Sequence, residues 1–128
     1  MADDDSTRAR GQRVEAQVAA FLARHGLELV ATNVSIANAE LDLVMRADAG
    51  EPTLVFVEVR SRRDAERGHP VETIDAAKRR RIVRAATAFL VAQGLWERVA
   101  VRFDVVTAIG DDDAPRFEWW PSAFEVDG

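Results

Sequence analysis

The chain has 128 residues, 48% of them apolar and 30% charged, which fits one globular domain with its own core and excludes a disordered chain. It has no cysteine, no apolar run able to span a bilayer, and an acidic start without the apolar stretch of a signal peptide, so disulfides, thiol chemistry and cysteine-bound metals are excluded and a cytoplasmic protein with no membrane association is expected. The net charge of −5 is uneven: residues 1–7 hold three acids and no base, residues 110–128 six acids and one base, but residues 60–84 nine bases and four acids, so an anionic partner is not excluded.

Residues 1–7 read as a disordered acidic leader, and residues 8–128 as a single domain. From about Arg8 to His25, Val14, Val18, Phe21 and Leu22 recur at spacings of three and four, which is one helical face, and Gly26 supplies the stop. Three strand-like segments follow. Residues 27–34 are apolar and β-branched. Residues 39–46 alternate, with Leu41, Leu43 and Met45 on one face and Glu40, Asp42 and Val44 on the other. Residues 53–60 form the strongest strand, and the turn residues at 48–52 predict a hairpin with the strand before. Residues 61–70 read as a polar loop. A second helix is predicted from about Asp75 to Gln93, with Ile82, Ala85, Ala86, Phe89 and Leu90 on its apolar face and Gly94 ending it. Residues 99–108 read as a strand, and residues 116–120 as an optional short edge strand. The order α-β-β-β-α-β implies an α/β sandwich with a mixed central sheet flanked by helices.

The informative residues are acids inside apolar strands. Glu58 lies between two valines, and Arg60, two residues on, leaves the strand on the same face. Asp42 lies in the preceding strand and shares its face with Glu40. If the strands pair, Asp42 and Glu58 meet at one point of the sheet. A charge in a half-buried strand is costly unless it is paired or holds a metal. One reading is structural: ion pairs with Arg60 or Arg62, or side chains pointing to solvent. The other is an oxygen-rich site for Mg²⁺ or Mn²⁺, whose best-suited chemistry is phosphoryl transfer with a cation offsetting developing charge.

Several segments resemble a known family. An acid in the second strand followed by E-x-K in the third is the signature of the PD-(D/E)XK, or restriction-endonuclease-like, nucleases. From about Gly11 to Phe124 the chain resembles the YraN-like family of uncharacterised bacterial proteins, related to Holliday-junction resolvases. The matching segments are GQRVEAQVAAFLARHGLELVATN, AELDLV, FVEVRSR, GHP, AAKRRRIVRAATAFL, RFDVV and FEWWPSAF, in that order. The resemblance implies a restriction-endonuclease-like fold and a Mg²⁺- or Mn²⁺-dependent endonuclease. It places Asp42 and Glu58 at the motif's metal-binding acids and Arg60 at its lysine. Glu15 stands for the first helix's glutamate, and Glu40 for the glutamate before the motif aspartate. Ala39 and Val14 replace glycines, Val34 an arginine and Arg60 a lysine of the family pattern.

Lys78, Arg79, Arg80, Arg81 and Arg84 form a basic stripe on the second helix, and Arg62, Arg63 and Arg67 lie in the segment before it. They read either as a solvated face or as contacts to a nucleic-acid backbone, with DNA the expected partner. His69 lies in the loop beside the acids. His25 reads as a helix-terminal residue, and Trp96, Trp119 and Trp120 as core or interface residues. The expected function is nucleic-acid binding with a metal-dependent nuclease site, acting on branched DNA. The alternatives are a nucleic-acid-binding or protein-interaction module that kept the fold without the chemistry. A homodimer is left open.

Overall fold

Helix α1 spans Ala2–Arg24 in a computed structural model that describes residues 2–48, 50–62, 74–110 and 114–125, with side chains from residue 8 onward. It therefore starts earlier than the sequence pattern predicted. At its other end the amides of Gly26 and Leu27 bond the carbonyls of Ala23 and Leu22, and Gly26 has φ +94°. This is the left-handed glycine stop that the sequence predicts.

Strands β1 (Glu28–Ile36), β2 (Ala39–Ala47) and β3 (Thr53–Arg62) form an antiparallel meander. Helix α2 (Ala76–Ala92) then crosses over to β4 (Ala100–Ile109), which pairs parallel with β3, and β5 (Arg116–Phe124) closes the sheet antiparallel to β4. The spatial order is β1-β2-β3-β4-β5. The fold is thus mixed α/β, a five-stranded mixed sheet with two helices, as the element order predicts.

The sheet buries both faces, so its inner strands are apolar on both sides. On one side Val14, Val18 and Leu22 of α1 pack on Leu43, Met45, Val55, Val57 and Val106. On the other, Ile82, Ala85, Ala86, Phe89 and Leu90 of α2 pack on Val44, Leu54, Phe56, Phe103 and Val105. Side chains of β3 alternate between the two cores, but the alternation predicted for β2 fails once. Leu41 was expected beside Leu43 and Met45, yet it lies in the α2-side core. The strand's face changes between Leu41 and Leu43, at Asp42.

The last strand is longer than predicted. Pro121 is tolerable because β5 is an edge strand, and the irregularity around it is held by Asp104. This fully buried carboxylate accepts from Arg102 Nε and Nη2, from Trp119 Nε1 and from the Ser122 amide, all at 2.9 Å. Trp119 and Trp120 are half-buried against the two cores, whereas Trp96 is 49% exposed and is not a core residue. His25 ends α1, its Nδ1 2.9 Å from the Phe21 carbonyl.

Candidate functional site

The site forms where regular pairing stops. The β2–β3 ladder runs from Ala47↔Thr53 to Leu43↔Val57, and the next step brings Asp42 beside Glu58. There Asp42 Oδ2, rather than a backbone carbonyl, accepts the Val59 amide at 2.9 Å. On the other side of β2, Asn33 falls between the pairs Thr32↔Leu43 and Val34↔Leu41, with φ +51°. Asparagine takes this left-handed conformation more readily than most residues. The local distortion of β1 and β2 turns Asp42 toward β3.

Four acids act on one another here. Glu58 is 7% exposed. The Asp42 carboxyl is pushed up to about 8, first by burial and then by the Glu58 charge, with Glu15 adding to the rise and the Val59 amide opposing it. Glu15, from α1, is also raised, chiefly by burial and then by Glu40 and Glu58, against a hydrogen bond from Asn33. Among the described residues its buried Oε1 has no hydrogen-bond partner. Glu40 is exposed and lines, with Asp42, Glu58, Phe56 and Ile82, a narrow cleft of about 10 Å³.

Among the described residues, Glu58 is the one member with a close cation. Lys78 Nζ lies 2.7 Å from its Oε2, and Arg60 Nη1 3.9 Å from the same oxygen. Among the described residues Asp42 has no ion pair. The groups able to hold a divalent ion are therefore Asp42 and Glu58, with Glu15 near them. Among the described residues no three His, Asp or Glu side chains stand close enough together to make a complete site. Two carboxylates are a fitting donor set for Mg²⁺, which keeps several of its waters. The Asp42 carboxyl, held above its usual range beside Glu58, and the buried Oε1 of Glu15 are oxygen donors whose chemistry suits such an ion.

The basic stripe divides by face. Lys78 enters the acid site and Arg79 is half-buried, while Arg80, Arg81 and Arg84 are exposed. Arg84 Nε also donates to the Ala37 carbonyl at 3.4 Å, tying α2 to the β1–β2 turn. Arg62 ends β3; Arg63, Arg67 and His69 lie outside the described residues. Two contributors escaped the sequence reading. Asn33 was not singled out, although an asparagine inside an apolar strand is itself a signal of irregular backbone. Lys78 was assigned to the stripe, although its spacing of four from Ile82 and seven from Ala85 puts it on the buried face.

No helix of the described residues is long and apolar enough to cross a membrane. Residues 14–108 match the model of the uncharacterised protein family UPF0102. A UPF0102 protein of Chromohalobacter salexigens is 47% identical over 123 residues, covering 96% of each chain. One from Anaeromyxobacter dehalogenans is 44% identical over 98% of this chain and 91% of its own. One from Pseudomonas aeruginosa is 41% identical over 98% of this chain and all of its own. With a matching sequence from α1 through β4 and relatives that align end to end, the chain belongs to the UPF0102, or YraN-like, family.

Proposed function

We propose that this protein is a Mg²⁺- or Mn²⁺-dependent phosphodiesterase of the restriction-endonuclease-like type that cuts nucleic acid, with branched DNA its expected substrate. The observation that carries the reading is the contrast between two strand aspartates. Asp104 is buried and matched by an arginine fork and two further N–H donors. Asp42 receives one backbone amide and faces a second carboxylate. A structural acid would be expected to resemble Asp104. A pair kept under mutual repulsion is better suited to a cation that arrives from outside.

In this reading Asp42 and Glu58 hold the ion, and Glu15 supplies a further oxygen directly or through water. The ion supplies charge neutralisation at the phosphate and activation of water. Arg60 and Lys78 put positive charge beside Glu58, where charge builds on the phosphate oxygens. Exposed Arg80, Arg81 and Arg84 lie on the same helix and support backbone contacts, which give affinity rather than sequence choice. One observation favours the rival, a binding module without chemistry: Glu58 already holds an internal ammonium.

The deciding experiment incubates the pure protein with four-way, duplex and single-stranded DNA and with RNA, with and without Mg²⁺ or Mn²⁺. Metal-dependent cleavage that is lost in Asp42→Asn and Glu58→Gln supports the phosphodiesterase. Salt-dependent binding without cleavage under every condition supports the binding module.

A further inference from the structure

We propose that Lys78, reaching into the acid site from α2, is the residue that contacts the scissile phosphate, and that Arg60 adds only its charge from farther off. This inference rests on the phosphodiesterase reading. It moves the working cation of the site from the sheet to the crossover helix.

Lys78 is the third residue of α2, and its backbone amide is bound at 2.8 Å by the N-cap Asp75 carboxylate. Helical side chains lean toward the N-terminus. The ammonium is thus carried past the start of the helix and over the sheet, to 2.7 Å from Glu58 Oε2. The same geometry is poor for helix stability alone. The first turn of α2 contains no acid and carries Lys78 where the helix dipole disfavours a cation. The Lys78 side chain is 37% exposed, so the residue is not sealed in the core beside Glu58. An ammonium has three donors. One points to Glu58, and no other partner is present among the described residues. Arg60 differs: its nearest nitrogen is 3.9 Å from the same oxygen, beyond hydrogen-bond length.

Hydrolysis joins a water oxygen to phosphorus and breaks the bond to one sugar oxygen. One water proton ends on that oxygen and the other leaves to solvent. Lys78 takes no part in this proton transfer. Its role is to hold a non-bridging phosphate oxygen and offset the charge that grows there, while its bond to Glu58 sets where the phosphate sits.

The test uses the whole chain, Mn²⁺ and the four nucleic acids above. Wild type is compared with Lys78→Met, Lys78→Gln, Lys78→Arg and Arg60→Met, each checked by thermal melting. At saturating Mn²⁺, Lys78→Met should lose on the order of 100-fold in kcat with little change in KM. Lys78→Arg should recover part of that loss, and Arg60→Met should lose less. Mn²⁺ affinity, measured by titration calorimetry, should not weaken in Lys78→Met. Weaker Mn²⁺ binding with full turnover at saturation would make Lys78 a mere support for Glu58 and overturn the inference. So would a Lys78→Met enzyme within threefold of wild type, or an Arg60→Met enzyme slower than it; both leave the phosphodiesterase reading standing. Unfolding of both the Met and Gln variants would show a structural lysine and also overturn it. A wild type inert on all four nucleic acids removes the phosphodiesterase reading and this inference together.

Discussion

Asp42 and Asp104 solve the same geometric problem with different electrostatics, and the difference can be measured. Each uses its carboxylate to take an amide from the neighbouring strand where a ladder is irregular. The Asp42 carboxyl, raised to about 8 by burial and the Glu58 charge, binds its proton more tightly in the native state than in the unfolded chain. Its stabilising contribution is complete below about pH 4 and is lost as pH rises toward 8. The metal-free protein should therefore lose thermal stability from pH 5 to 8.5, and Asp42→Asn should lose less over the same interval. Parallel melting profiles would refute the assignment. At pH 8, Mn²⁺ at a hundredfold excess over its Kd should add about 2.7 kcal/mol, or roughly 10 °C in Tm. The gain should vanish in the Asp42→Asn, Glu58→Gln double variant; an equal gain in both proteins would put the ion elsewhere. Asp104→Ala is the opposite case. It strands Arg102, Trp119 and the Ser122 amide, and should cost about 3–5 kcal/mol in denaturant unfolding. A loss under 1 kcal/mol would mean that this network is replaceable by water.

At the scale of elements, the strands were legible where they are regular and misread where they carry the site. The two-residue period of a strand assigned Glu58 and Arg60 of β3 to one face, as found. In β2 the same rule put Leu41 with Leu43, and the break at Asp42 defeats it. Periodicity describes a uniform strand, whereas the distortion depends on Asn33 in the neighbouring one. The end of β5 was missed for a related reason: Pro121 reads as a breaker unless one knows that the strand is at the edge and that Asp104 holds the Ser122 amide. For α2 the apolar face and both ends were legible, but counting bases by adjacency merged two functions. Lys78 belongs to the acid site, and the exposed set is Arg80, Arg81 and Arg84. Changing those three to alanine should weaken DNA binding for every sequence and reduce the slope of log K against log salt by about 2–3, as removal of three phosphate contacts would. Cleavage at saturating DNA should persist. An unchanged slope would mark the exposed arginines as a solvated face.

For the whole molecule, two cores clamp the middle of the sheet. α1 packs on one face and α2 on the other, and the acids gather where β1, β2 and β3 lose regular pairing, between contributions from both helices. That α/β layering follows from the alternation of elements, because each apolar face must find a partner. The convergence of Glu15, Asp42, Glu58 and Lys78 does not follow from it: it requires the register of three strands and the rotation of two helices.

Charge is organised on the same scale. The chain totals −5, yet residues 60–84 carry a net +5 and residues 1–7 a net −3. An anionic polymer approaching the basic middle is thus repelled by acid elsewhere, and the range of that repulsion is set by salt. The Debye length is about 30 Å at 0.01 M and about 8 Å at 0.15 M. Removing residues 1–7 should therefore speed association with DNA at low salt, by a few-fold at most. It should leave the dissociation rate nearly unchanged, because long-range charge acts on encounter more than on the docked state. The gain should disappear near 0.15 M. A slower association, or a gain that persists at high salt, would mean that the acidic segment contacts the binding surface directly rather than acting through its field.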